Sequence, residues 1–210
     1  MPSRPTVVFD LDGTLVNSLP DIIHSFQYAF STLALEAPPE AEVRQEIGKP
    51  LEDMYARFVP EHLVSALCDA YRSHYPQHFT DHSEPYPGVL AALQSLRQRG
   101  YGLVVATTKR SDMAQRFMQA LGLTPYLDHI QGTDDFPHKP APDVILRALE
   151  AVAGQGLWMV GDTLHDMQAG KAAGLKTYAV TWGTHDEATL RQAQPDALHG
   201  SLEPLLELLD

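Results

Sequence analysis

The chain has 210 residues, 44% hydrophobic and 20% charged, with a formal net charge of −12 at pH 7. That profile fits one soluble globular unit, or a core domain with a small insertion, and excludes a disordered chain. The negative charge argues against a nucleic-acid partner, and no apolar run approaches the roughly 20 residues that cross a bilayer.

Nothing at the N-terminus reads as a charged region followed by an apolar signal core, so no secretory leader is expected. The first predicted element is a buried strand over Thr6–Asp10, in which Val7, Val8 and Phe9 precede a carboxylate. Gly13 ends the extended pattern, so two carboxylates, Asp10 and Asp12, stand where the chain leaves the sheet. Alternating side chains put both on one side only while the chain stays extended. Open α/β sheets place their chemistry at such C-terminal strand edges. There one Asp can serve as nucleophile and the other as proton shuttle. The same octapeptide also reads as a strand followed by an Asp-Gly turn.

From about Ser18 to Phe79 no strand pattern appears, only helical segments. Ser18, Pro20 and Asp21 supply an N-cap, an early proline and a first-turn acid. Ile22, Ile23, Phe26, Ala29, Phe30 and Leu33 follow at helical spacing. Pro38-Pro39 and Gly48-Lys49-Pro50 punctuate the later helices, and Pro76 and Pro85 close the block. The expected organisation is an α/β core over residues 1–16 and 82–210 with a helical insert over 17–81. Its hinges are expected near Val16-Asn17 and Asp81–Pro87. His74, His78 and His82 are spaced by four, but Pro76 should disrupt a helix there, which favours an exposed junction over a zinc site. Cys68 is the single cysteine, so no internal disulfide can form. It reads as a small packed residue in a protein of the reducing cytoplasm.

Beyond the insert, strand patterns lie at Gly102–Thr107, His129–Gly132, Leu157–Gly161 and Thr177–Thr181. Helical patterns at Gly88–Arg99, Ser111–Leu121, Asp143–Ala153 and Leu164–Ala173 alternate with them. This rhythm predicts an α/β fold, a mainly parallel sheet with helices on both faces. The tail from Asp186 to Asp210 is expected to form two surface helices with Gly200 between them.

Three later strand ends carry candidate chemistry. Thr107-Thr108-Lys109 closes one strand in hydroxyls. A Thr there either donates to a phosphoryl oxygen or caps the helix starting near Ser111. Lys139 precedes a proline-initiated helix in His138-Lys139-Pro140-Ala141-Pro142-Asp143. Lysines are ordinarily solvated, but beside three carboxylates this one would offset their charge and bind phosphate. In Gly161-Asp162-Thr163-Leu164-His165-Asp166, a helix from Thr163 sets Asp166 one turn along, facing Asp162. Oxygen-only ligation by carboxylates suits Mg²⁺, which completes its shell with water and phosphate. The competing reading is one Asp capping the helix and the other on its surface. An acidic chain repels phosphate compounds, so the net charge itself asks for a cation in the site.

Taken in order, DLDGTL, the strand ending in TTK, HKPAPD and GDTLHD resemble the haloacid dehalogenase-like hydrolase superfamily over essentially the whole chain. The insert matches the cap position of its phosphoglycolate phosphatase-like branch, and FDLDGTLVNSLPDI is similar to those phosphatases. The resemblance implies a Rossmann-like core with an inserted α-helical cap domain. It implies that Asp10 attacks phosphorus to give an aspartyl-phosphate, while Asp12 protonates the leaving oxygen and then activates water. Mg²⁺ would be held by Asp10, the backbone carbonyl of Asp12, Asp162 and Asp166. Thr107, Thr108 and Lys139 would bind the phosphoryl group, and from the cap Lys49, with Arg44 second, would contact the substrate. These parts suit phosphoryl transfer, which needs positioning and charge neutralisation above all. Asp12 also argues against carbon–halogen chemistry. Asn17, Thr108, Arg110 and His138 depart from residues common in relatives, which bears on the substrate rather than the reaction.

The expected enzyme hydrolyses a small phosphate monoester, 2-phosphoglycolate first. The alternatives are a sugar-phosphate mutase of the β-phosphoglucomutase type, against which Thr14 leans slightly, and a non-catalytic ligand-binding protein. Its expected partner is a small phosphorylated metabolite, with no nucleic acid and no membrane, and the chain acts as a monomer or homodimer.

Overall fold

A strand apolar on both sides must be covered on both faces, and β1 (Arg4–Phe9) holds that position. The computed structural model describes residues 3–209. With β1, the strands β4 (Gly102–Ala106), β5 (His129–Gln131), β6 (Gly154–Gly161), β7 (Lys176–Val180) and β8 (Ala197–His199) form one sheet. All its pairs are parallel, in the order β5-β4-β1-β6-β7-β8. Val7 and Phe9 pack with Leu93 and Leu96 of α5 (Val89–Gln98) and Phe117 of α6 (Ser111–Ala120). Val8, pointing the other way, packs with Val144, Ile145 and Ala148 of α7 (Asp143–Ala151) and Ala169 of α8 (Leu164–Ala172). This is the Rossmann-like sheet, helices on both faces, that the alternating pattern predicts.

The chain order explains where a site can form. After β1 the chain builds β4 and β5 to one side, then crosses to build β6, β7 and β8 on the other. The connections therefore diverge above β1 and β6 and leave a crevice at their C-terminal ends.

Between β2 (Val16–Asn17) and β3 (Glu84–Pro85), a short antiparallel ribbon, the cap is all helical. It comprises α1 (Leu19–Thr32), α2 (Glu40–Glu46), α3 (Leu51–Ala56) and α4 (Glu61–His78). Ile22, Ile23, Phe26, Ala29 and Phe30 are buried, and Phe26 stacks on Tyr55 with ring centroids 4.1 Å apart. Leu33 lies past the end of α1 and is exposed. Pro76 does not break its helix: it sits in the last turn of α4, where only one backbone bond is lost. Pro85 belongs to the ribbon rather than to a helix end.

Asp21 does more than start a helix. Its carboxylate, 1% exposed, accepts bonds from the His82 backbone N–H, His82 Nδ1 and Ser83 Oγ at 2.7–3.1 Å. It thus fastens the return strand to the first cap helix. Asp21→Ala would leave those donors unsatisfied, and we expect a loss of about 1–3 kcal/mol in urea unfolding. An unchanged midpoint would remove that role.

The tail contains α9 (Glu187–Gln192) and α10 (Glu203–Leu208), the two expected helices, with β8 between them. Residues Ala197–His199 lack a strand pattern and gain theirs from neighbours. Asp196, just before them, accepts from Thr177 N and Thr177 Oγ1 at 2.8 and 2.9 Å, fixing the edge against β7. Among the described residues no helix is long and apolar enough to cross a membrane.

Candidate active site

Four segments far apart in sequence meet in the crevice above β1 and β6. Asp10 follows β1, and its backbone N–H still donates to Val160 O on β6 at 2.8 Å. Asp162 follows β6, and Asp166 lies in the first turn of α8. All three are nearly or fully buried. One oxygen from each lies within 4.8 Å of the others, the one such metal-capable group among the described residues.

Local structure aims each of them. Thr163, not Asp162, caps α8, in a capping box with Asp166. Asp166 Oδ2 accepts from Thr163 N and Oγ1 at 3.0 and 2.6 Å, which leaves Oδ1 for the site. Asp162 is held by Thr14 Oγ1 at 2.8 Å and by the backbone N–H of Thr184 at 2.7 Å. A Cβ at Gly13, where φ is +88°, or at Gly183 would come within 2.3 Å of Asp162 Oδ2. Only glycine permits that approach at both positions.

Lys139 Nζ donates to Asp10 Oδ1 at 2.5 Å and to Asp166 Oδ1 at 2.6 Å. One ammonium therefore bonds two of the three buried carboxylates and, among the described residues, leaves Asp162 without a cation. Burial opposes its charge, but Asp10 and Asp166 outweigh that and raise the lysine's pKa. Burial pushes Asp10 well above the usual carboxylate range despite Lys139, with Asp166 and Asp162 adding to the rise. Asp162 is pushed up to about 6 by burial and then by the charge of Asp166. A cluster short of positive charge, offering only oxygen donors, fits a hard divalent cation such as Mg²⁺.

Asp12 lines the same cavity, just before the turn at Gly13. Ser18 Oγ donates to its Oδ1 at 2.6 Å, and Lys109 Nζ lies 3.2 Å from its Oδ2. Ser18 thus makes no side-chain cap for α1. Thr107 does not cap α6 either. Its Oγ1 accepts from Lys109 N at 3.2 Å, leaving the hydroxyl proton as a donor, while Asp134 takes Ser111 N and Oγ.

The cavity measures about 880 Å³ and is lined by Asp10, Asp12, Thr107, Thr108, Lys139 and Asp166 from the core. The cap contributes Lys49, Arg72 and Tyr75 among others. Lys49 reaches it but is paired with Glu46 at 2.5 Å. Arg44, expected to face the substrate, does not line the cavity; its Nη2 donates to Gly183 O at 2.9 Å. It clamps the cap to the loop that holds Asp162. Gly48 packs on Thr163 nearby, where a Cβ would stand 3.4 Å from its methyl carbon. The three histidines spaced by four lie elsewhere: His74 stacks between Tyr28 and His78, and His82 is engaged by Asp21.

The model of the haloacid dehalogenase-like hydrolase family matches residues 7–180, from β1 through β7. The chain belongs to that family. It is 35% identical over 207 residues to the pyrophosphatase PpaX of Halalkalibacterium halodurans, covering 97% of this chain and 96% of the relative. It is 33% identical over 215 residues to the phosphoglycolate phosphatase of Mesorhizobium japonicum, with 97% and 93% covered. Among solved structures, a haloacid dehalogenase-like hydrolase of Streptococcus pneumoniae superposes with a TM-score of 0.91 at 30% identity, both chains fully covered. The protein is thus a family hydrolase of the phosphatase kind.

Sequence reasoning missed Lys109, Tyr75, Ser18 and Thr184 at the site of this family member. Thr184 acts through its backbone, which leaves no side-chain signature. The others depend on how the cap docks.

Proposed function

We propose that this chain is a Mg²⁺-dependent phosphatase that acts on a small phosphate compound through an aspartyl-phosphate on Asp10. The convergence of Asp10, Asp162 and Asp166, with Lys139 bonded to the first and last of them and Asp12 standing apart, carries the reading. Separate environments for two carboxylates are what a nucleophile and an acid–base pair require.

A carboxylate oxygen of Asp10 forms the bond to phosphorus as the bond from phosphorus to the leaving oxygen breaks. Asp12 gives that oxygen its proton. Asp12 then takes a proton from water as the water attacks the aspartyl-phosphate, releasing phosphate and restoring Asp10. Thr107 donates its hydroxyl, and Lys139 its ammonium, to phosphoryl oxygens, with Thr108 beside them. Mg²⁺, held by Asp10, the carbonyl of Asp12, Asp162 and Asp166, supplies charge neutralisation when bound. The cap covers the site and limits water, and Lys49 is its candidate for a second anionic group of the substrate.

For substrate, 2-phosphoglycolate stands first, supported by the phosphoglycolate phosphatase relative. Pyrophosphate is the second candidate, supported by the PpaX relative. Both offer a second negative group to a cap-side cation. The test is steady-state phosphate release from 2-phosphoglycolate, pyrophosphate, para-nitrophenyl phosphate and β-glucose 1-phosphate. We expect turnover of para-nitrophenyl phosphate and the highest kcat/KM on one of the first two. Glucose 6-phosphate formed in place of free phosphate would make the chain a mutase, and no turnover of any would leave a ligand-binding protein.

A further inference from the structure

Three lysines line the cavity, and the reaction outlined above uses Lys139 and Lys49 but not Lys109. Lys109, in the loop after β4, is less deeply placed than Lys139, with its side chain 10% exposed against 2%. Its Nζ lies 3.2 Å from Asp12 Oδ2 and donates to the Tyr75 hydroxyl at 2.9 Å. The ammonium also sits 4.6 Å from the Tyr75 ring centroid and 5.2 Å from that of Phe117. Lysine is a flexible side chain that prefers water, so confinement between two rings and a carboxylate fixes both its position and its direction.

The other oxygen of Asp12 is fixed as well, by Ser18 Oγ at 2.6 Å. Both restraints reach the cap. Ser18 precedes α1, and Tyr75 lies in α4, 3% exposed and stacked on Tyr71. The plane of the Asp12 carboxylate is therefore set by two groups whose places depend on the docked cap. A proton donor acts efficiently only within hydrogen-bond reach and alignment of its target.

We propose that Lys109 is a positioning residue that ties the orientation of Asp12 to cap docking through Tyr75. The proposal rests on Asp12 as the acid–base group and adds the device that aims it. Misalignment penalises a substrate whose leaving oxygen needs a proton more than one whose leaving group departs as a stable anion. A residue that merely stabilised the fold would penalise both alike.

The experiment compares kcat/KM on para-nitrophenyl phosphate and phenyl phosphate, two similar shapes with a good and a poor leaving group. Lys109→Met is expected to lose about tenfold more on phenyl phosphate, part of the 10²–10⁴ that a placed general acid contributes. Lys109→Arg should recover most of that difference. Tyr75→Phe keeps the ring beneath the ammonium but loses the hydroxyl, and should show a smaller split in the same direction. Equal losses on the two substrates, or no loss, in Lys109→Met overturn the proposal. If that variant fails to fold by thermal melting, an absent split in Tyr75→Phe overturns it instead. Asp12→Asn separates the two layers: without a split there, the acid assignment itself falls.

Discussion

Asp10→Asn is expected to remove phosphatase turnover, by at least about 10⁴-fold in kcat on para-nitrophenyl phosphate, as loss of a nucleophile does elsewhere. The amide matches the carboxylate in shape but cannot attack phosphorus. The fold should survive the change. Lys139 keeps Asp166 at 2.6 Å, and the cluster sheds one of three buried negative charges. Because burial holds Asp10 well above the usual carboxylate range, its ionised form is unfavourable in the folded protein without a metal. The variant should therefore melt no lower than the parent in metal-free buffer. A variant within about tenfold of the parent's kcat, a residual that loss of a nucleophile does not leave, would take the nucleophile's role from Asp10.

That prediction could be written from the sequence, since Asp10 is marked by its place after three apolar strand residues. Asp162 after Leu157–Gly161 and Thr107 after Gly102–Ala106 were legible for the same reason. An apolar run buried on both faces must lie inside the sheet, so the polar residue that ends it must lie at the edge. Lys139 and Asp166 were legible through the helix starts beside them. What stayed hidden was decided by contacts between distant segments. Asp21 reads as a helix-start acid, yet its partners are His82 and Ser83. Arg44 reads as a cap-face cation, yet it grips Gly183, 139 residues away. Lys109 is an ordinary loop lysine until Tyr75 and Asp12 close on it. The ribbon of β2 and β3 and the edge strand β8 are two or three residues long, too short for periodicity to mark.

Chelation should silence the enzyme and Mg²⁺ restore it, and the same metal should stabilise the fold in a pH-dependent way. The net charge of −12 and three converging carboxylates oppose a phosphate ligand, and Lys139 cannot offset all of them. Asp162 rises on folding from its ordinary 3.8 to about 6, and Asp10 rises too. A raised carboxylate binds its proton more tightly when folded, so its favourable contribution is present below the unfolded value. That contribution is lost as pH climbs through the folded value. For Asp162 the window runs from about pH 4 to pH 6. The metal-free protein should accordingly lose this contribution between pH 5 and pH 7.5, offset in part by His165 and His185, whose burial-lowered pKa values favour the folded state as pH rises. Mg²⁺ competes with protons for the same oxygens, so its stabilisation should be larger at pH 7.5, about 2.7 kcal/mol at a hundredfold excess over Kd. Differential scanning fluorimetry with and without Mg²⁺ at both pH values reads this directly, alongside turnover after EDTA treatment. Full activity in metal-free buffer, or a Mg²⁺ shift equal at both pH values, would mean that Asp10, Asp162 and Asp166 do not hold the cation, because ligands that must lose a proton cannot bind it equally well on both sides of their own titration.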